Sequence, residues 1–175
     1  HWISGYDVPA VEAGYLKKGE VIARGATGPS SVLTFNSRRS PFDDVRVREA
    51  LSLAFDFEWQ NRALHSRVHK RAVGYFPGSP FGATGLPTRE ELVLLEPFRK
   101  LIDHRVFSEP IDVPKSSGWG RNRHALVRAA SLLSEAGWSV ERGILRNSLG
   151  DPFEFEFLST NVSERRVLLP YIDTL

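Results

Sequence analysis

The chain has 175 residues, of which 41% are hydrophobic and 25% are charged, and its formal net charge is only +2. These values are typical of a globular domain with one sizeable core, and they argue against a nucleic-acid surface built on counterion release. The chain contains no cysteine, which excludes disulfides, zinc–thiolate sites and cysteine nucleophiles. It also contains no methionine and begins at His1, so we expect it to be an internal piece of a longer protein.

The first residues predict short elements separated by turns. A helix is expected over residues 8–14, because Pro9 is favoured in a first helical turn and Gly14 supplies a stop. Residues 19–24 and 31–36 then predict two strands on either side of a Gly/Pro-containing turn.

The stretch over residues 32–61 is the most strongly patterned part of the chain. Residues 32–35 alternate apolar and polar side chains, which is typical of a strand, and residues 36–41 hold turn formers. Asp43 or Asp44 is placed to cap a helix, and Asp56 to cap a second one. The first helix is expected to bury one stripe, formed by Val47, Ala50, Leu51 and Ala54.

Residues 72–120 predict few regular elements. Thr88 and Glu91 have the spacing of a capping box, which marks the start of a helix, and Pro97 is expected to kink or end that helix. Residues 103–120 contain several Pro, Ser and Gly residues and predict a loop.

The last part of the chain predicts a helix, a hairpin, a strand and a final helix. The helix is expected over residues 121–136 with a left-handed stop at Gly137, and a hairpin over residues 139–147. A strand that starts at Pro152 and a helix over residues 163–175 follow. The first of these helices is expected to bury Leu126, Ala129, Leu133 and Ala136.

Several of these segments together resemble a known family. They are F-N-S-R-R-S-P-F-D-D-V-R-V-R-E-A-L-S-L-A-F-D-F-E-W-Q-N (35–61), A-V-G-Y-F-P (72–77), E-L-V-L-L-E-P (91–97), L-L-S-E-A-G-W (132–138) and L-L-P-Y (168–171). In this order they resemble the bacterial extracellular solute-binding proteins of family 5, particularly the branch that binds oligopeptides, microcin C or murein peptides.

The resemblance implies an α/β fold, as a fragment of a two-lobed type II periplasmic binding protein that closes about a hinge. Residues 1–34 would form the end of the first lobe's return segment and the hinge strand, and residues 35–175 the truncated N-terminal part of the second, C-terminal lobe. The parent would be an exported periplasmic component of an ABC importer. It would bind oligopeptides as a monomer without cofactor or catalysis and deliver them to permease subunits.

The resemblance also implies which residues approach the ligand. Val32 and Thr34 would face the cleft between the lobes, next to Asn36, and Tyr75 would approach it from the following loop. Thr34 could exchange one hydrogen bond with a peptide, and Val32 would offer an aliphatic contact where some relatives carry an aromatic ring. From the residues alone, an ordinary core strand explains Val32 and Thr34 equally well.

Other functions receive less support from the sequence. His65 and His69 are spaced to share a metal, but the basic residues around them disfavour a cation. The basic pair Arg38 and Arg39 is offset by acidic residues nearby, which disfavours nucleic acid. No nucleophile elbow, zincin motif or P-loop occurs. A peptide hydrolase and a nucleic-acid or scaffold module remain the alternatives.

Overall fold

The computed structural model describes residues 5–17, 19, 31–120, 122–159 and 161–175. The chain divides into two compact units. The smaller unit comprises His1–Ser31 and Ala72–Asp112, and the larger unit comprises Val32–Arg71 and Val113–Leu175. The α-helices of the described residues are α1 (Pro9–Glu12), α2 (Val45–Ala54), α3 (Phe57–His65), α4 (Arg89–Leu95), α5 (Arg105–Ser108), α6 (Arg123–Glu135) and α7 (Arg165–Ile172).

The central helix α2 forms as the sequence predicts. Asp44 is its N-cap, and the Asp44 carboxylate accepts a hydrogen bond from the backbone N–H of Arg46 at 2.8 Å. The predicted stripe is confirmed, because all four of its residues are buried: Val47, Ala50, Leu51 and Ala54. A helix buried to this degree needs partners on more than one side.

One partner is α6, which packs against α2 to form the core of the larger unit. Ala50, Ala129 and Leu132 are buried together, and Leu53 and Leu133 pack at the margin of this cluster. The predicted stripe of α6 is confirmed at Ala129, but its other three residues are less buried than predicted. Alanine side chains allow close approach to α2, so the contact is centred on the alanines of α6. The buried residues of α6 are Ala125, Ala129 and Leu132, whereas Leu126, Leu133 and Ala136 are only half-buried.

Leu132→Ala is expected to lower the free energy of unfolding by about 2–5 kcal/mol, because it leaves a cavity between α2 and α6. Urea denaturation followed by circular dichroism measures this loss. The matched control is Val127→Ala, in the same helix at a residue that is 61% exposed, which should change stability by less than about 0.5 kcal/mol. Equal losses of stability in the two variants would contradict the packing of Leu132 between α2 and α6.

A second partner of α2 is α7, which is joined to it by a buried hydrogen bond. The Tyr171 hydroxyl donates to the backbone oxygen of Leu51 at 2.8 Å, and burial raises the pKa of Tyr171. The neighbouring helix α3 starts at Asp56, whose carboxylate accepts from the N–H of Trp59 at 3.0 Å, as predicted. The buried Gln60 of α3 donates from Nε2 to the oxygen of Val167 in α7. These contacts hold the three helices together.

After α6 the chain forms the predicted hairpin. Gly137 has a φ of +89°, which permits the left-handed stop of α6, and the strands β1 (Ser139–Glu141) and β2 (Ile144–Arg146) pair antiparallel. The turn uses Arg142 and Gly143, both with positive φ, as expected for a tight hairpin.

The predicted strand after the hairpin lies extended but does not become part of a sheet. Pro152 makes an isolated bridge to Arg146, and no described residue extends the ladder beyond it. The side chains nevertheless alternate as predicted. The inward-facing rings of this extended segment are those of Phe153, Phe155 and Phe157, and they contact one another and the rings of Trp138, Phe42 and Tyr171.

The predicted strand over residues 31–36 forms no strand pairing among the described residues. The predicted strand over residues 19–24 lies outside the described residues, apart from Gly19. The regular structure of the described chain is therefore mostly helix, with little sheet.

In the smaller unit, Thr88 and Glu91 form the predicted capping box at the start of α4. At Leu95 the α-helix gives way to a 3₁₀ turn (Glu96–Phe98) that contains Pro97, as expected. The stretch predicted as loop contains one short helix, α5, whose first residue Arg105 is held to Asp103 by an ion pair of 2.8 Å.

Arg71 closes the base of the segment Ala72–Asp112. The guanidinium of Arg71 donates to the backbone oxygen of Pro114 at 2.5 Å, so the residue before the segment is bonded to a residue just after it. The same guanidinium lies 6.0 Å from the rings of Phe55 and Phe57. Burial lowers the pKa of Arg71, and the carboxylates of Asp56 and Glu58 oppose this shift.

Arg71→Met is expected to lower the free energy of unfolding by about 1–3 kcal/mol, because the apolar stem is kept while the oxygen of Pro114 loses its donor. Chemical denaturation measures the loss. Lys70→Met is the control, since Lys70 is exposed. If both variants unfold at the same denaturant concentration as the parent chain, Arg71 does not hold the two ends together.

Candidate functional site

Three of the four predicted site residues lie on the extended segment that begins the larger unit. Val32, Thr34 and Asn36 are exposed, whereas Phe35 is half-buried. Their spacing of two residues predicts that these three side chains share one side of the segment. The structure shows each of them exposed to solvent.

The aromatic core holds this segment in position. The ring of Phe35 packs on Phe42 with centroids 5.3 Å apart, and Phe42 meets Phe155 edge-on at the same distance. Phe35 thus anchors the segment to the larger unit and leaves its other side to solvent.

The backbone of Val32, Leu33 and Thr34 makes no backbone hydrogen bond within the described part of the chain. Extended backbone with free N–H and C=O groups is a template on which another extended chain can add as a strand. The side chains beside it supply an aliphatic surface at Val32 and a hydroxyl at Thr34, which both donates and accepts.

At Asn36 the extended backbone turns towards α2. The Asn36 side chain accepts from the N–H of Arg38 at 3.3 Å, and its backbone oxygen accepts from the N–H of Arg39 at 3.1 Å. Arg48 then reaches back from α2 and donates to the oxygens of Phe42 at 2.6 Å and Asp43 at 3.0 Å. Asn36 is therefore partly occupied in shaping the turn.

The start of α2 is held by charge. Asp44 and Arg46 form an ion pair at 2.6 Å, and this hydrogen bond from Arg46 lowers the pKa of Asp44. The Arg46 guanidinium also donates to the backbone oxygen of Glu135 at the end of α6, where the helix dipole favours a cation. Asp44 thus acts as a cap and ion-pair partner, which agrees with the predicted structural role.

Asp44→Ala is expected to lower the free energy of unfolding at pH 7 by about 1–2 kcal/mol, through loss of the cap and the ion pair. Because the folded-state pKa of Asp44 lies below its usual value, its stabilisation is present above that value and is lost as the pH falls through the lowered pKa. The difference in free energy of unfolding between the parent chain and Asp44→Ala should therefore shrink towards low pH. Denaturation curves between pH 7 and pH 2 check this, with Asp43→Ala as the control.

The fourth predicted residue, Tyr75, lies in the smaller unit. Its side chain is 83% exposed, and its neighbour Phe76 packs against Phe81 with centroids 6.3 Å apart. Tyr75 is thus an exposed ring on a loop whose other aromatic residues contact each other.

The two histidines of the pair lie in ring contact. The rings of His65 and His69 meet edge-on with centroids 4.7 Å apart. Burial lowers the pKa of His65, and the charges of His69 and Arg166 lower it further. Among the described residues, no group of three or more His, Cys, Asp or Glu side chains could hold a metal ion.

A groove that the sequence did not predict lies in the larger unit, where Trp59, Asp56 and Asp173 share its lining. No spacing rule joins these residues, because they lie far apart along the chain. The capping role of Asp56 was predictable, but the exposure of its neighbours to a common groove was not.

Among the described residues, each helix is too short or too polar to span a lipid bilayer.

Residues 1–174 match the model of the family described as bacterial extracellular solute-binding proteins, family 5 middle. The chain therefore belongs to this family, whose members are type II periplasmic binding proteins. This confirms the resemblance seen in the sequence.

Individual relatives agree with this assignment. The chain is 37% identical to the peptidoglycan-binding protein YepA of Agrobacterium fabrum, which it matches over 98% of its own length and 28% of YepA. It is 36% identical to YejA of Escherichia coli, over 100% of the chain and 29% of that relative. It is 34% identical to the probable peptide-binding protein YejA of A. fabrum, over 99% of the chain and 29% of that relative. The chain spans less than a third of the length of these relatives.

Proposed function

We propose that the chain is part of the periplasmic substrate-binding component of an ABC importer, which captures oligopeptides and hands them intact to membrane permease subunits. The family match over residues 1–174 carries this proposal. Two of the relatives have names that state peptide or peptidoglycan binding, which favours peptides, including murein-type peptides, as the cargo. Members of a solute-binding family bind and release their ligand, so we propose no catalytic step.

The geometry of residues 32–36 supports a peptide as the ligand. The backbone groups of Val32, Leu33 and Thr34 make no backbone hydrogen bond to any described residue, and they match the hydrogen-bonding groups of an extended peptide, which would add alongside them. We propose that Val32 and Thr34 contact the peptide directly and that Asn36 shapes the turn beside them. We also propose Tyr75, on its exposed loop, as a ligand-binding residue.

The proposed mechanism is hinge closure by a monomer. A peptide that contacts both lobes of the parent protein stabilises the closed form more than the open form, and the closed form docks on the permease. Residues 1–34 would provide the end of the first lobe's return segment and the hinge strand, and the later residues would begin the second lobe. No cofactor is needed, because no bond is made or broken.

Native mass spectrometry of the parent protein should reveal a co-purifying peptide, and calorimetry with that peptide should return it uncleaved. Thr34→Ala is expected to weaken binding roughly three- to tenfold, since one hydrogen bond contributes about 1 kcal/mol. Ser148→Ala is the matched control, because Ser148 is an exposed hydroxyl in the turn after β2.

Recovery of cleaved peptide would instead support a hydrolase, and a co-purifying nucleic acid would support the nucleic-acid alternative. The 175-residue chain alone is expected to show no tight peptide binding, because the proposed cleft needs both lobes. Tight binding by this chain would overturn the two-lobed cleft while leaving peptide recognition intact.

A further inference from the structure

The turn over residues 76–82 of the smaller unit, which we call the aromatic tip, presents two phenylalanine rings to solvent. Phe81 is 77% exposed and Phe76 is 48% exposed, and their ring centroids lie 6.3 Å apart. Residues 72–88, which include the tip, contain no Asp, Glu, Lys, Arg or His. The tip therefore exposes aromatic area on a stretch of chain that carries no charged side chain.

Much of the hydrogen-bonding capacity of the tip is used within the tip. The Ser79 hydroxyl donates to the backbone oxygen of Phe76 at 2.9 Å and accepts from the N–H of Phe81 at 3.2 Å. The N–H groups of Ser79 and Gly82 donate to the backbone oxygens of Phe76 at 3.3 Å and Ser79 at 3.0 Å. The two prolines of the tip have no N–H to satisfy. The tip thus offers a partner little to bond besides its rings.

A close backbone contact fixes the shape of the tip. A Cβ atom at Gly82 would lie 2.6 Å from the backbone oxygen of Phe76 and 3.2 Å from that of Ser79, so only glycine lets the chain close here. Because the turn is closed by these contacts before any partner arrives, little chain entropy is lost when the two rings are buried.

We propose that the aromatic tip inserts the rings of Phe76 and Phe81 into the boundary between the headgroups and the acyl chains of a lipid bilayer. Protein interfaces carry a polar rim and many hydrogen bonds, and the tip supplies neither charge nor many free polar groups for them. The lipid boundary requires neither, and it favours exposed aromatic and apolar side chains. Backbone that is bonded within its own turn can approach lipid at lower cost than backbone that is not.

The attraction between the aromatic tip and lipid would have no charge component. It should therefore be the same for zwitterionic and anionic bilayers and should survive high salt, unlike the binding of a basic segment. This contact is separate from residues 32–36 and does not depend on the proposed peptide binding.

The test places a fluorophore beside the tip. The chain has no cysteine, so Ala83→Cys, at an exposed residue, creates a single attachment site for an environment-sensitive nitrobenzoxadiazole label. Titration with phosphatidylcholine vesicles is expected to shift the emission of this label to the blue and to saturate with lipid. No shift, or a shift only with vesicles that contain phosphatidylglycerol and only at low salt, would overturn the proposal.

Phe81→Ala in the labelled chain is expected to weaken partitioning into phosphatidylcholine roughly three- to tenfold, because one ring no longer leaves water. The matched control is Leu149→Ala, which removes another apolar side chain that is 84% exposed and should leave partitioning unchanged. Circular dichroism shows whether each variant is folded. Equal losses in the two variants would contradict insertion of the tip.

Two further results would assign the tip to another partner and overturn the lipid contact. A blue shift that grows with protein concentration in the absence of vesicles would indicate a second copy of the chain. In the parent protein, flotation with phosphatidylcholine vesicles is expected and should decrease with Phe81→Ala. If the parent does not float while the 175-residue chain does, another part of the parent covers the tip.

Discussion

The larger unit depends on the burial of α2, because both α6 and α7 pack directly against it. One side of α2 packs on the alanines and leucines of α6, and another receives the Tyr171 hydroxyl from α7. Its first turn is tied to the preceding turn by Arg48 and to the end of α6 by Arg46. A helix whose apolar stripe is fully covered fixes its neighbours, since a core packed at crystal-like density leaves few alternative arrangements.

Sequence reasoning found the elements with local causes. The caps at Asp44, Asp56 and Thr88, the stop at Gly137 and the turn at Arg142 and Gly143 all formed where the chain carried the residue type that each needs. These features depend on a few neighbouring residues, so the spacing of residue types is enough to locate them.

Features that depend on distant partners were predicted less well. The stripe of α6 was confirmed only at Ala129, because its orientation is set by the surface of α2 and not by its own pattern. The strand predictions at residues 31–36 and after Pro152 did not yield strands, because a strand also needs a neighbour, and alternation within one segment cannot supply it. For the candidate site, Val32, Thr34 and Asn36 are each exposed, and the groove joins residues that no local pattern connects.

The bond between Arg71 and Pro114 has a consequence for how this fold can vary. Arg71 and Pro114 lie where the chain leaves and re-enters the larger unit, and they are bonded to each other. The entropy of closing the segment between them depends only weakly on its length. A change in the length of residues 72–112 would therefore alter this closing entropy little.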